Sequence, residues 1–218
     1  MKEGGGCRIL FRIMRHSGSM PLGPPPLYAA RTGKLWPMAF PFDPKKATEV
    51  AALFLRNEGG SINVMKLVKL IYLLDRESIR KRGIPVVGGI YLSMKNGPVT
   101  SEVLDLINSG FLWHCNTTWP TFISDRADHL VALDKDPGHD NLSEFELALL
   151  QDVYKAFGFM DQWGLRDWCH QHCGEWTPLD QGRERISLGK LAEEVGQDAD
   201  QIEADAAEHS FIEHLFSS

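Results

Sequence analysis

The run NVMKLVKLIYLLDRESIRKRG, residues 63–83, decides how the rest of the chain can pack, because it has the pattern of one long helix. Asn63 suits the N-cap position, and Gly83 ends the helix. The last turn, residues 80–82, is basic, which is favourable at a helix C-terminus. Apolar residues wrap most of the first half. This pattern predicts a helix whose first half is buried at the centre of the fold.

Helix signals also lie on both sides of this run. Asp43 before Pro44 predicts a helix start, and Gly59-Gly60 predicts its end. Ser143 with Glu146 three residues later forms a capping box at the start of another helix. The inward face of that helix is predicted to comprise Phe145, Leu149, Val153 and Phe157. Further helices are predicted over residues 102–108, 163–172, 188–195 and 199–216.

Short strands are predicted between the helices. Residues 84–87 and 90–94 are predicted to pair about Gly88-Gly89, and residues 121–124 and 129–133 to form a second hairpin. The expected fold class is therefore α+β and predominantly α-helical, a single compact helical domain with small β-hairpins.

Composition limits the class of protein. The 218 residues are 43% hydrophobic, and the formal net charge is -6. This apolar content excludes disorder of the whole chain, and no apolar run is long enough for a membrane-spanning helix. The acidic balance disfavours a nucleic-acid binder. Four cysteines are too few for a disulfide scaffold, so we expect reduced thiols and a cytoplasmic location.

The chain divides into three predicted regions. Residues 1–37 contain six Lys or Arg and one Glu, with many Gly and Pro. They are predicted to be a disordered basic extension, or an upstream start in a protein that naturally begins at Met38. Residues 38–180 are expected to form the domain core. Residues 181–218 are expected to form an acidic helical hairpin packed on that core.

The signatures of common enzymes are missing from the sequence, including phosphate-binding loops and the nucleophile elbow. Cys169, His170 and Cys173 have a spacing that could bind zinc if His114 or Cys115 supplied a fourth ligand. The simpler alternative is that both cysteines pack in the core and that His170 makes a capping or buried hydrogen bond. No second paired cluster accompanies them, so we expect neither a metal nor a catalytic role.

The C-terminal residues have the spacing of a helix-turn-helix, with Ala192, Gly196 and Ile202 at the key positions. However, residues 191–218 contain eight Asp or Glu and no Lys or Arg. Such a surface would be repelled by phosphates. A solvated helical pair, or a docking surface for a basic protein, fits this charge better than a DNA-binding autoregulator does.

Several motifs, in one order, resemble a known family. The run MKLVKLIYLLDRE, residues 65–77, is similar to the signature helix of the Panacea domain, a SocA-like antitoxin domain. Four further segments resemble later motifs of that domain: GIPVVG at 83–88, YLSMKNGPV at 91–99, SEV at 101–103, and Leu165 to His170 followed by Glu175-Trp176. The resemblance extends from about residue 42 to residue 178 and leaves out residues 1–37.

The resemblance implies an antitoxin that neutralises a cognate protein toxin by direct binding. Members of the family also act as proteolytic adaptors that deliver a toxin to a protease such as ClpXP. The family's motif residues are implied to maintain the fold and not to catalyse; here they are Lys69, Tyr72, Asp75, Gly97, Pro98, His170 and Trp176. No cofactor is implied.

The partner-binding surface varies within the family, so no interface residue transfers by motif. Aromatic residues near the predicted hairpins are candidate anchors, because Trp and Tyr dominate binding hot spots. They are Phe111, Trp113 and Trp119. Ordinary core packing is the alternative for all three.

Overall fold

The fold is organised around a central helix, α2 (Val64–Arg82), as the sequence predicts. The computed structural model describes residues 39–112 and 118–216 of the chain. The Asn63 side chain accepts a hydrogen bond from the Met65 N–H at 2.9 Å, and Gly83 ends the helix in the left-handed region at φ 77°. Most of α2 is buried, because other helices and the strands at residues 61–63 and 97–100 pack around it.

The remaining helices surround α2. Asp43 caps the first of them by accepting from the Lys45 and Lys46 N–H groups, and Ser143 with Glu146 forms the predicted capping box. The helices are α1 (Pro44–Asn57), α3 (Ser101–Ser109), α4 (Trp119–Phe122), α5 (Glu144–Phe157), α6 (Gln162–His172), α7 (Leu188–Glu194) and α8 (Ala199–Phe216). The predicted helices are confirmed to within one or two residues at their ends, apart from the short α4, which the sequence analysis did not predict.

The first predicted hairpin is wrong in its pairing, although its second strand, predicted over residues 90–94, does form. Strand β2 (Tyr91–Met94) pairs with β3 (Gly97–Thr100) around Lys95-Asn96, and β5 (Arg183–Arg185) adds an unpredicted third strand. Residues 84–87 form no strand. Their apolar pattern reflects burial beside Asp75, whose carboxylate takes the N–H groups that a strand would have used.

The second predicted hairpin forms only in part. Residues 119–122 are helical, and β4 (Leu130–Ala132) pairs with β1 (Ser61–Asn63) in place of residues 121–124. A single bridge between Ile123 and Leu133 remains of the predicted pairing. The sequence pattern could not show that β4 has a partner next to α2, far away in sequence.

One predicted inward position on α5 is also wrong. Phe145 is 38% exposed and lies beneath the Arg82 guanidinium, whose carbon is 4.6 Å from the ring centroid. Leu149 and Val153 are buried as predicted. Phe145 sits in the first turn of α5, where its ring meets the last residue of α2 at the surface and not in the core.

The C-terminal pair α7 and α8 contacts the central helix. Ile202 is buried, and the Gln197 side chain donates to the Arg80 carbonyl oxygen at 2.8 Å. Within the described ranges, no helix is both long enough and apolar enough to cross a bilayer. The predicted extension over residues 1–37 lies outside the described residues. The fold class is confirmed as α+β and mostly helical.

Candidate functional site

The Asp75 carboxylate holds the loop that precedes β2. It accepts hydrogen bonds from the N–H groups of Val86, Val87 and Gly88 at 2.8 to 3.1 Å, and from the Tyr91 hydroxyl at 3.0 Å. Burial raises the pKa of Asp75 to about 6, while the donors oppose that shift. All of its acceptor capacity is used inside the fold. These hydrogen bonds join the loop at residues 86–88 and strand β2 to the central helix.

A buried ion pair joins α2 to the segment after α6. The Arg76 Nε donates to Glu175 Oε1 at 2.7 Å, and the Tyr72 hydroxyl donates to the same oxygen at 2.5 Å. Burial, followed by the Glu175 charge, raises the pKa of Tyr72 well above its usual value. Tyr72 therefore stays a neutral donor. Glu175 is 1% exposed, so its carboxylate is shielded from solvent.

Lys69 is a second buried charge on α2 and is 1% exposed. Its ammonium donates to the Pro98 carbonyl oxygen at 2.7 Å. Burial lowers the pKa of Lys69 to about 8, although nearby Cys169 and Cys173 favour its charged form. Gly97 has φ +96°, and a Cβ there would lie 2.9 Å from the Lys69 Nζ. The β2–β3 turn thus needs glycine at 97 for two reasons, the backbone conformation and the close lysine.

Cys169 and Cys173 are both buried and free, which agrees with the predicted core packing. A hydrogen bond between the two thiols lowers the pKa of Cys169, and the same pairing with burial raises the pKa of Cys173. His114 and Cys115, the fourth ligands considered for zinc, lie outside the described residues. Within those residues, no group of three or more His, Cys, Asp or Glu side chains is arranged to hold a metal ion.

His170 and Trp176 form a stacked pair beside this cluster. Their ring centroids are 4.0 Å apart, and the planes are within 5° of parallel. The Trp176 Nε1 donates to the Met94 carbonyl oxygen at 2.9 Å, which ties the stack to β2. The expected hydrogen bond of His170 does not form in the described part of the chain, where its buried Nε2 has no partner. Stacking holds this residue instead.

A groove of about 680 Å³ opens beside these motif residues, and we call it the α2 groove. It runs between the start of α2, the β2–β3 turn, α3, the turn at residues 126–129, the start of α6 and residues 180–182. The sequence pattern does not reveal this groove, because its lining comes from six separate segments. Its apolar lining comprises Val64, Met65, Val68, Met94, Val99 and Leu104.

A strained turn forms one rim of the α2 groove. Asp128 and His129 have φ values of 47° and 65°, in the left-handed region that non-glycine residues rarely adopt. The Arg126 guanidinium donates to the Asn108 side chain at 3.1 Å and lies 2.6 Å from the His129 Nδ1. The turn thereby presents a cation and an imidazole to the groove.

The candidate anchor aromatics have different positions. Trp119 is 1% exposed and belongs to the core, so it is not available as an exposed anchor. Phe111 is 45% exposed, and Trp113 lies outside the described residues. Three described aromatics that were not among the predicted anchors are more exposed than Phe111: Phe216 is 86% exposed, Phe159 is 78% exposed, and Trp163, which lines the α2 groove, is 49% exposed. The exposure of these rings depends on how the helices pack against one another, so the sequence pattern alone does not reveal it.

Comparison with known proteins identifies the family to which the motif residues belong. The family model described as antitoxin SocA-like, Panacea domain, matches residues 67–177, just over half of the chain. That range includes all of the motif residues placed above, from Lys69 to Trp176. No curated protein and no solved structure matches the chain. The chain belongs to the family of SocA-like antitoxins that is defined by the Panacea domain.

Proposed function

We propose that this protein is the antitoxin of a toxin–antitoxin pair and neutralises its cognate toxin by direct binding. One observation supports the proposal most. The motif residues shared with the family are turned inward: five of the seven are buried, and His170 and Trp176 stack on each other. Residues that are buried in this way stabilise the fold. The working surface is then the exposed surface around them, which suits protein recognition better than catalysis.

The exposed surface offers the residue types that protein interfaces use. Phe159, Trp163 and Phe111 are each 45% or more exposed. A stable complex buries about 1,200–2,000 Å² in total, and a few aromatic anchors supply most of its energy. Phe159 and Trp163 lie at the corner between α5 and α6, beside the α2 groove. We propose that this corner belongs to the toxin interface.

The proposal also includes a cytoplasmic location and excludes a role in DNA binding. Helix α8 carries Asp200, Glu203, Asp205 and Glu208, which would repel a phosphate backbone. The same charge would speed association with a basic surface on the toxin.

The test uses the full chain and the product of the gene adjacent to it. We expect that product to stop growth when expressed alone and to be harmless when this protein is co-expressed. Purified together, the two proteins should elute as one complex in size-exclusion chromatography. The absence of both a complex and growth rescue would overturn the proposal.

A toxin half-life measurement separates two forms of neutralisation. Sequestration leaves the toxin's half-life unchanged or longer in the presence of this protein. Delivery to an ATP-dependent protease such as ClpXP shortens it, and deletion of the protease gene then abolishes the rescue. The second result would make this protein a proteolytic adaptor.

A further inference from the structure

We propose that the α2 groove binds an acidic segment of the toxin that carries an apolar anchor residue. This inference rests on the proposed function and goes further, because it assigns the contact to one groove and gives the chemistry of the segment. The evidence comes from the groove's floor, its rim and the charge of the surrounding protein.

The floor of the α2 groove suits an apolar side chain. Its aliphatic atoms come from Val64, Val68 and Val99, which are 4 to 5% exposed. Two methionines, Met65 and Met94, also line it and are only half-buried. Burial of apolar surface is favourable roughly in proportion to the area removed from water, so one aliphatic or aromatic side chain of a partner would be stabilised there. The two methionines can adjust to different shapes, which suits a site that accepts a foreign side chain.

The rim of the α2 groove is basic. Lys95, Arg126 and His129 are exposed there, and Asp180 is the one acidic residue among the described residues that line it. No carboxylate of the described ranges lies within ion-pair distance of Lys95 or Arg126. These two cations therefore have their charge available for a partner's carboxylates.

This rim is unusual on a protein with a formal net charge of -6. An acidic segment is repelled over most of such a surface and attracted at the α2 groove, which gives both orientation and specificity. A nucleotide would also bring negative charge. However, the floor is aliphatic, and one face of the Trp163 ring is already covered by the Arg166 guanidinium, whose carbon lies 4.9 Å from the ring centroid. The groove thus fits a peptide better than a base.

The first variant tests the floor. Met65 is the second residue of α2, where a carboxylate interacts favourably with the helix dipole, so Met65→Glu should fold. It places a negative charge against the incoming acidic segment. We expect Met65→Glu to raise the Kd for the purified toxin about tenfold or more, and Met65→Leu to leave it within about twofold.

The second variant tests the rim. The double change Lys95→Glu and Arg126→Glu should raise the Kd by a similar factor and reduce its dependence on salt, because two cations are reversed. The matched control is Lys155→Glu and Lys190→Glu, which makes the same change in net charge at two exposed lysines outside the groove. We expect this control to change the Kd by less than about threefold. Circular dichroism and thermal unfolding establish that each variant is folded.

Short synthetic peptides that tile the toxin sequence identify the segment. We expect the peptides that bind the full chain to be rich in Asp and Glu around an apolar residue, and to lose binding to Met65→Glu. Reversing those acids to Lys in the toxin should restore its binding to the double rim variant.

The outcomes separate this inference from the proposed function. If the toxin binds and is neutralised equally well by wild type and by both groove variants, the groove proposal is wrong while the antitoxin role stands. Binding of basic peptides, of a nucleotide or of a second copy of this chain at the groove overturns it as well. If no complex with the toxin forms at all, both proposals are wrong.

Discussion

The Arg76 Nε lies 2.7 Å from Glu175 Oε1, although the two residues are 99 positions apart in the chain. Arg76 is on the central helix, and Glu175 is in the segment that follows α6. The side chain of Glu175 is fully buried and that of Arg76 is 10% exposed. The pair therefore joins the last of the family motifs, at residues 175–176, to the central helix, which carries the first. Both charged groups are held inside the fold.

Removing one member of this pair should be far more harmful than removing an exposed pair. Arg76→Met leaves the Glu175 carboxylate buried with only the Tyr72 hydroxyl as a side-chain donor. We expect a loss of about 3–5 kcal/mol in the free energy of unfolding, measured by urea denaturation. Arg80→Met is the control, because it removes the exposed Arg80–Glu77 pair of the same helix and should cost less than about 1 kcal/mol.

A second variant tests the cause of the loss. Replacing both partners, with Arg76→Met and Glu175→Met together, removes the unpaired charge and should recover part of the stability lost in the single variant. Equal stabilities of Arg76→Met and Arg80→Met would contradict the structural role given to this pair.

The helices were predictable from the sequence because their signals are local. A cap such as Asn63, a stop such as Gly83 and the apolar period of α2 all act within a few residues. The wrong strand at residues 84–87 shows the limit of local signals. Its apolar run is real, but Asp75, eleven residues or more before Val86 and Val87, accepts their N–H groups in place of a strand partner.

The candidate site was predictable in one respect and not in another. The motif residues such as Lys69 and Trp176 stood out in the sequence, and the structure places them around one buried cluster. The α2 groove did not stand out, because Met65, Leu104 and Arg126 reach it from separate segments. Their meeting depends on tertiary packing, which no spacing in the sequence encodes.

The buried Lys69 should make stability depend on pH above neutrality. Its pKa is about 8 in the folded state and 10.5 ordinarily, because burial disfavours the ammonium. Below pH 8 the lysine is charged in both states, and the folded state carries the full cost of burying it. Between pH 8 and 10.5 the folded protein releases the proton first, so stability rises with pH by up to about 3 kcal/mol from this group.

Lys69→Met isolates this contribution. The difference in unfolding free energy between wild type and Lys69→Met, measured at several values from pH 7 to pH 10.5, should shift in favour of wild type as pH rises. Groups that do not interact with Lys69 titrate alike in both proteins and cancel in the difference. A difference that stays constant over this range would show that Lys69 is not held as a desolvated ammonium.

Gly97 is predicted to be intolerant of a side chain for a reason beyond its backbone angle. Gly97→Ala introduces a Cβ 2.9 Å from the Lys69 Nζ and also forces alanine to adopt φ +96°. Gly138→Ala is the control, since Gly138 has φ +78° and no heavy atom within 4 Å of the added Cβ. Both variants bear the conformational cost of about 1–2 kcal/mol. We expect Gly97→Ala to lose at least 1 kcal/mol more than Gly138→Ala in thermal or urea unfolding.

A substitution at His170 separates a structural role from a catalytic one. Its imidazole stacks on Trp176, and burial, followed by the positive charge of Lys69, lowers its pKa and favours the neutral ring. His170→Phe keeps an aromatic ring on Trp176 and removes both ring nitrogens, and we expect the stability to change by less than about 1.5 kcal/mol. His170→Ala should cost about 2 kcal/mol or more, because the stacking is lost.

The functional readout of the same two variants decides the role. If His170 acts through stacking alone, His170→Phe neutralises the toxin as well as wild type does, whereas a role as an acid, base or ligand abolishes neutralisation in this variant despite intact folding. Growth rescue by His170→Phe in cells that express the toxin, compared with His170→Ala at equal protein level, measures this directly. Because the stack is tied to β2 through the Trp176 hydrogen bond to Met94, and Met94 lines the α2 groove, the alanine variant should also weaken toxin binding.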